Sequence, residues 1–212
     1  KMIEIFESGK DIHQATASAI NGVKLNDVTK KMRSAAKAVN FGVLYGMGAF
    51  GLASRTGITN FEAKEFIAKY FEEFSGVKKY LDQTLKQAHK DGYVETLFGR
   101  RRYIPELQSE NFQLRNAGER MATNMPVQGT AADVMKMAMI KISYKLKKYE
   151  GTGRDLSVRM ILQVHDEVVL EVKEGLEDEV SKIVKDAMEN VVKLNVPVEV
   201  HVDIGKSWGK IK

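Results

Sequence analysis

The chain has 212 residues, 43% of them hydrophobic and 29% charged, which is enough to bury a sizeable core and too balanced for wholesale disorder. It has no cysteine and only four histidines, far apart in sequence, which excludes a disulfide scaffold, a thiol nucleophile and a thiolate zinc site, and argues against a histidine-rich metal site. Eight basic and four acidic residues fall in positions 1–60, against three basic and nine acidic in 166–190, a distribution suited to a polyanion-binding face and a separate solvated or metal-binding face, or simply to charge scattered over two helix surfaces.

No uncharged apolar run approaches the ~18–20 residues needed to cross a bilayer, and the first ten residues lack the apolar stretch of a signal peptide. A cytoplasmic protein with no membrane partner is expected.

In chain order, Asp11 is placed to cap a helix from His13 to Ile20 that ends at Asn21-Gly22. Asn26 and Asp27 are the expected cap of the next helix, which runs to about Tyr45 before Gly46 and Gly48 and contains the strong helix formers Ala35, Ala36 and Ala38. Thr59-x-x-Glu62 is a capping-box pattern, followed at helical spacing by Phe66, Ile67, Tyr70, Phe71 and Phe74. Ser75 opens a further helix through Val77, Leu81 and Leu85 that Gly92 stops. The period then changes: residues 93–98 and 102–104 read as short strands around Gly99. Helix returns at about 111–123, Pro126 is expected to break it, and another helix runs from Gln128 to Tyr149, closed by Gly151 and Gly153. Residues 157–164 and 168–172 are β-rich on either side of His165-Asp166-Glu167, Gly175 introduces an acidic amphipathic helix to about Val192, and 196–204 reads as a last strand with Pro197 at its edge. This order predicts an α+β fold, mostly helical at first, then an antiparallel sheet with packed helices.

Arg33, Lys37, Phe41 and Tyr45 stand at steps of four on one predicted helix, a slowly winding stripe of two cations and two aromatics. Such a stripe suits a nucleotide lying along the helix, with cations on phosphates and rings on base and sugar. On spacing alone, an ordinary amphipathic helix with buried aromatics is the commoner meaning.

The literal strings go further. Arg33-x-x-x-Lys37-x-x-x-Phe41-x-x-x-Tyr45-Gly46 resembles motif B of family A DNA polymerases, the bacterial DNA polymerase I type. The resemblance continues through Gly92-Tyr-Val-Glu-Thr-Leu-Phe-Gly-Arg-Arg-Arg102 and Glu119-Arg-Met-Ala-Thr-Asn-Met-Pro-Val-Gln128, and ends in Gln163-Val-His165-Asp166-Glu167-Val168, which resembles motif C. It covers essentially the whole chain.

It implies fingers over 1–92 and the C-terminal, motif C part of the palm over 93–212. It implies a DNA-directed DNA polymerase that adds deoxynucleotides to a primer 3′-end with two Mg²⁺ ions. Arg33, Lys37 and His13 match triphosphate contacts, His13 by resemblance alone. Lys37 also matches the proposed general acid for the departing pyrophosphate, a role suited to an ammonium that is protonated at neutral pH. Phe41 matches the ring on the nucleotide's sugar and base, and Tyr45 the ring that stacks at the template position. Arg102, Arg120, Asn124, Gln128, Gln163 and His165 match primer–template contacts, of the kind that a sequence-tolerant enzyme makes with minor-groove acceptors. Asp166 matches one of two metal-binding aspartates, and Glu167 is a weaker auxiliary candidate because adjacent strand residues point to opposite faces. Ser34 departs from the second arginine that family members often carry after Arg33.

The second aspartate, in motif A, belongs upstream of the string that begins this chain. The expectation is therefore a polymerase fragment, inactive alone, whose partners are primer–template DNA, deoxynucleoside triphosphates and the N-terminal part of the polymerase. Two other readings stay open: a nucleic-acid-binding domain, and a subunit of a split polymerase.

Overall fold

The computed structural model describes residues 1–149 and 157–210. Contacts divide the chain into two compact units, Lys1–Thr130 and Ala131–Lys212.

The first unit opens with α1 (Met2–Glu7) and α2 (Ile12–Asn21). Asp11 caps α2 as expected, its Oδ1 accepting from the Gln14 amide at 2.8 Å, and Gly22 ends it in the left-handed region that glycine favours. α3 spans Lys30–Leu44, and its cap is not Asn26 or Asp27. Those two sit in a 3-10 turn, Leu25–Asp27, and Thr29 takes the role, its Oγ1 accepting from the Met32 amide at 3.2 Å. The turn consumes one more loop residue pair than the spacing suggested, and the threonine next to the first helical residue is the group in reach. α4 (Ala49–Thr56) follows, then α5 (Asn60–Glu73) with the Thr59/Glu62 capping box complete, and α6 (Ser75–Asp91), ended by Gly92. Ile20, Val39, Val43, Leu52, Ala63, Tyr70 and Phe74 form the core that gathers α2 to α5.

The strands around Gly99 form a short hairpin, β1 (Tyr93–Glu95) and β2 (Arg101–Tyr103), paired Tyr93 to Tyr103 and Glu95 to Arg101. Val94 and Ile104 are buried with Ala88, Leu107, Ala122 and Met125, so the hairpin is seated on α6 and α7.

α7 runs unbroken from Phe112 to Leu146, straight through Pro126. The expected break does not occur. Proline removes one amide donor from the helix, a cost that burial of flanking side chains offsets. Ala122 and Met125 are buried before it, Met135 and Ala138 after it. Side-chain hydroxyls also serve this stretch, Thr130 Oγ1 donating to the Pro126 carbonyl at 2.5 Å and Thr123 Oγ1 to that of Arg120 at 3.0 Å. The expected end of this helix at Gly151 and Gly153 lies outside the described residues.

In the second unit, β3 (Val158–Val164) and β4 (Glu167–Val172) form an antiparallel hairpin with a bulge between Met160 and Leu162. α8 (Glu177–Glu189) buries Val180, Val184 and Ala187, spaced along one helical face, in a cluster with Ile142, Leu146 and Val158. The last expected strand, 196–204, is absent: these residues are irregular. A strand needs a ladder partner, and no described backbone pairs with this segment. Its Val200 amide bonds the Glu189 side chain instead, at 3.0 Å, while Val202 and Ile204 stay exposed.

Tyr70 is wholly buried, its ring 5.1 Å from that of Phe74, and its hydroxyl has no partner among the described residues. Burial pushes the phenol up to about 12 from 10.0. The unfolded chain ionises first, so this group's contribution is intact below pH 10 and is lost as pH rises toward 12. Tyr70→Phe removes an unsatisfied polar atom and should hold or raise stability by up to about 1 kcal/mol. It should also flatten the loss above pH 10, measured by thermal unfolding from pH 8 to 11.

Candidate functional site

The candidate residues fall in two groups, one in each unit. In the first, α3 divides lengthwise. Ala36, Val39, Asn40 and Val43 are buried, whereas Arg33 and Lys37 are exposed and Phe41 is 48% exposed. That exposure settles the ambiguity of the stripe: Phe41 is not a core residue. Tyr45, half-buried, closes α3 as its C-terminal cap.

α2 packs beside α3 and adds to the same face. The His13 and Phe41 rings lie 5.4 Å apart, centre to centre. Arg33 is held by Asp11, which accepts from Nη2 at 2.5 Å and Nε at 3.2 Å on one oxygen while its other oxygen caps α2. The Arg33 guanidinium beside it holds the Asp11 carboxyl below the usual carboxylate range. His13 is pushed below the usual histidine value, first by burial and then by the charges of Arg33 and Lys37, with Asp11 acting against them. Lys37 makes no hydrogen bond or ion pair among the described residues, so its ammonium is available to a ligand.

Behind this face lies a buried polar chain that sequence reading missed. Asn40 Nδ2 meets His13 Nδ1 at 2.9 Å and Thr16 Oγ1 at 3.1 Å, and Thr16 Oγ1 donates to the Ile12 carbonyl at 2.7 Å. A signal existed: an asparagine between valines 39 and 43 is a poor helix former that must find partners when buried. Asp11 was read only as a cap, since its tie to Arg33 spans 22 positions.

The other first-unit candidates lie near α7. Gly46, with φ +74°, ends α3 so closely against α7 that a Cβ there would come 3.0 Å from Arg120 Cγ. Arg120 and Gln128 are exposed, and Asn124 between them has a buried Oδ1 without a partner among the described residues. Of the three hairpin arginines, Arg100 donates to the Gly129 carbonyl at 3.0 Å, Arg101 pairs with Glu95 at 2.6 Å, and Arg102 lies against Met121 with Nη2 3.0 Å from the sulfur.

In the second unit, Val164 pairs with Glu167, leaving His165 and Asp166 as a two-residue turn. His165 has φ 52°, a left-handed conformation that glycine adopts more readily. Gln163 Nε2 donates to its carbonyl at 2.6 Å. Asp166 is exposed and has no hydrogen bond or ion pair among the described residues, so a hard cation meets no competitor at its carboxylate. Glu167 is engaged by the Trp208 indole N–H at 2.7 Å. Magnesium is commonly held by one or two carboxylates together with substrate phosphates and water, and Asp166 fits as one such ligand.

The half-exposed Asp11–Arg33 pair gives the first group a measurable pH signature. Asp11→Asn keeps the cap and removes the charge, so it should cost under about 1 kcal/mol at pH 7. Because the folded carboxyl is depressed, the wild-type advantage is full above the ordinary value of 3.8 and shrinks as pH falls through it. Denaturant unfolding of both proteins from pH 7 to 3 checks this.

A family model described as DNA polymerase family A matches residues 1–210. Among curated relatives, "DNA polymerase I, thermostable" of Thermus filiformis is 50% identical over 208 residues, covering 98% of this chain and 24% of its own length. DNA polymerase I of Caldicellulosiruptor bescii is 49% identical over 212 residues, covering 100% of this chain and again 24% of its own. The chain thus spans about a quarter of the length of these relatives. A solved structure of the POL domain of Pol1 from M. smegmatis, in complex with DNA primer-template and dNTP, superposes with a TM-score of 0.91 at 43% identity, covering 99% of this chain and 36% of that one.

Proposed function

Since the chain belongs to DNA polymerase family A, we propose that it supplies the nucleotide-binding helix and part of the DNA-contact surface of a DNA-directed DNA polymerase. The observation that carries this reading is the division of α3, whose buried face leaves Arg33, Lys37 and Phe41 together in solvent. Fingers are assigned to 1–92 and the motif C part of the palm to 93–212, a functional boundary distinct from the contact boundary after Thr130.

Arg33 and His13 bind the incoming triphosphate, and Phe41 covers its sugar and base. The primer 3′-hydroxyl gives its proton to water as its oxygen bonds to the α-phosphorus and the bond to the pyrophosphate oxygen breaks, and Lys37 Nζ gives that leaving oxygen a proton. Tyr45 stacks at the template position. Arg102, Arg120, Asn124, Gln128, Gln163 and His165 contact primer–template, which suits the exposure of Arg120 and Gln128. Asp166 would hold Mg²⁺ as one carboxylate ligand, with Glu167 auxiliary, and the bound ions would supply activation of the primer hydroxyl and stabilisation of the leaving charge. The partners in this reading are primer–template DNA, deoxynucleoside triphosphates and the rest of the polymerase, since the chain spans 24% of the length of its relatives. The described residues include no helix long and apolar enough to cross a membrane, and a cytoplasmic, nucleoid-associated setting fits the reading.

In a polymerase bearing this segment, Lys37→Ala should lower turnover by ~10²–10⁴-fold with little change in DNA affinity, because Lys37 is assigned to the triphosphate. Steady-state kinetics at saturating nucleotide, beside DNA-binding titrations, check it; a loss confined to DNA affinity would defeat the assignment.

Phe41→Tyr is expected to relax discrimination against dideoxynucleotides by roughly five- to 150-fold, since a phenolic hydroxyl replaces a polar contact that the missing 3′-hydroxyl leaves open. With the ring 48% exposed, the added hydroxyl meets solvent and melting temperature should not move. Paired incorporation assays with a melting curve measure both.

A further inference from the structure

The buried amide behind His13 has no part in the reaction as described so far. Asn40 is 6% exposed and Thr16 wholly buried, so neither can touch a ligand. Their hydrogen bonds nevertheless dictate the state of a side chain that can. The Thr16 hydroxyl has one proton, and its shortest acceptor is the Ile12 carbonyl at 2.7 Å. Its lone pair is then free to accept from Asn40 Nδ2 at 3.1 Å, while Asn40 Oδ1 lies 3.2 Å from the same hydroxyl, a longer alternative acceptor. The second proton of that amide nitrogen points to His13 Nδ1 at 2.9 Å, which must accept it. A neutral imidazole that accepts at Nδ1 carries its proton on Nε2.

We propose that Asn40 is a positioning residue for nucleotide binding, holding His13 as the Nε2–H tautomer so that a neutral donor faces the triphosphate beside Arg33, Lys37 and Phe41. The proposal rests on reading that face as the triphosphate site. Its physical advantage is that two cations already stand there. A third would be repelled by Arg33 and Lys37 in the empty state, and Asp11, the anion that acts on His13 among the described residues, is engaged by Arg33. A donor fixed in place without a charge adds a directed hydrogen bond at no electrostatic cost, and its orientation is set before the ligand arrives. The depressed ionisation of His13 agrees with this geometry.

The test uses the full 212-residue chain labelled with ¹⁵N at histidine, and inorganic tripolyphosphate as the probe. Long-range ¹H–¹⁵N spectra at pH 7.5 should show His13 as the Nε2–H tautomer; the Nδ1–H form in the wild-type chain would overturn the proposal without any variant. Asn40→Ala should mix the tautomers and weaken tripolyphosphate binding on the order of 3- to 10-fold, the worth of one hydrogen bond. In a His13→Ala background, Asn40→Ala should have no further effect on affinity. An equal loss in both backgrounds would make Asn40 merely structural and overturn the proposal. If His13→Ala leaves affinity unchanged while the tautomer is as expected, the triphosphate role of His13 fails, and the proposal with it, for a reason the spectra distinguish. Asn40→Ser keeps a donor of shorter reach and should restore part of the tautomer bias; it replaces the alanine variant in each comparison if that one does not fold.

Discussion

Val39 and Val43 of α3 belong to one apolar cluster with Leu52, Tyr70 and Phe74, and that seat decides which α3 side chains meet solvent. A helix rotates as a rigid rod, so fixing two valines fixes the azimuth of everything else on it. Arg33, Lys37 and Phe41 are turned outward by the burial of other residues on the same helix. The same burial explains how an aromatic can stay 48% exposed on a helix with a well-formed apolar face: other residues of the helix supply its buried side.

What the sequence revealed and what it concealed follow from the range of the interactions concerned. The Asp11 cap, the Thr59/Glu62 box and the glycine stops at Gly22 and Gly92 act within four residues, and each is where the residue order places it. The helix through Pro126 is a contest between one lost amide bond and burial on both sides, and the buried partners Leu107 and Ile104 arrive from outside the helix. Residues 196–204 have the alternation of a strand, but alternation describes a face, and a strand also needs an edge to pair with. The Thr29 cap was missed for a smaller reason, since Asn26, Asp27 and Thr29 are all competent caps and the local turn chooses among them.

The candidate site shows the same division. Arg33, Lys37, Phe41 and Tyr45 were legible as a stripe because they share one helix, and motif C because it is one turn. Asp11 and Asn40 were not, because each acts across α2 and α3, over 22 and 27 positions. Only the family's strings suggest a role for His13, and only the packing of α2 on α3 reveals the buried amide behind it. Side chains that meet a ligand recur as recognisable spellings. Those that hold them in place are spelled by the fold.

The β1–β2 hairpin has three residues in each strand, too few to persist alone in water. Its turn is tied to α7 by the Leu97 amide on Thr130 Oγ1 at 2.9 Å and by Arg100 on the Gly129 carbonyl, with glycine 129 so close to Thr96 that a Cβ would come within 2.8 Å of its methyl. The hairpin and the helix therefore complete each other: Val94 and Ile104 help to bury the stretch of α7 before Pro126, and α7 supplies the hydroxyl and the carbonyl that hold the arginine turn. A change that loosens one removes the support of the other, so the amides of the turn and of α7 near Pro126 should open to exchange together.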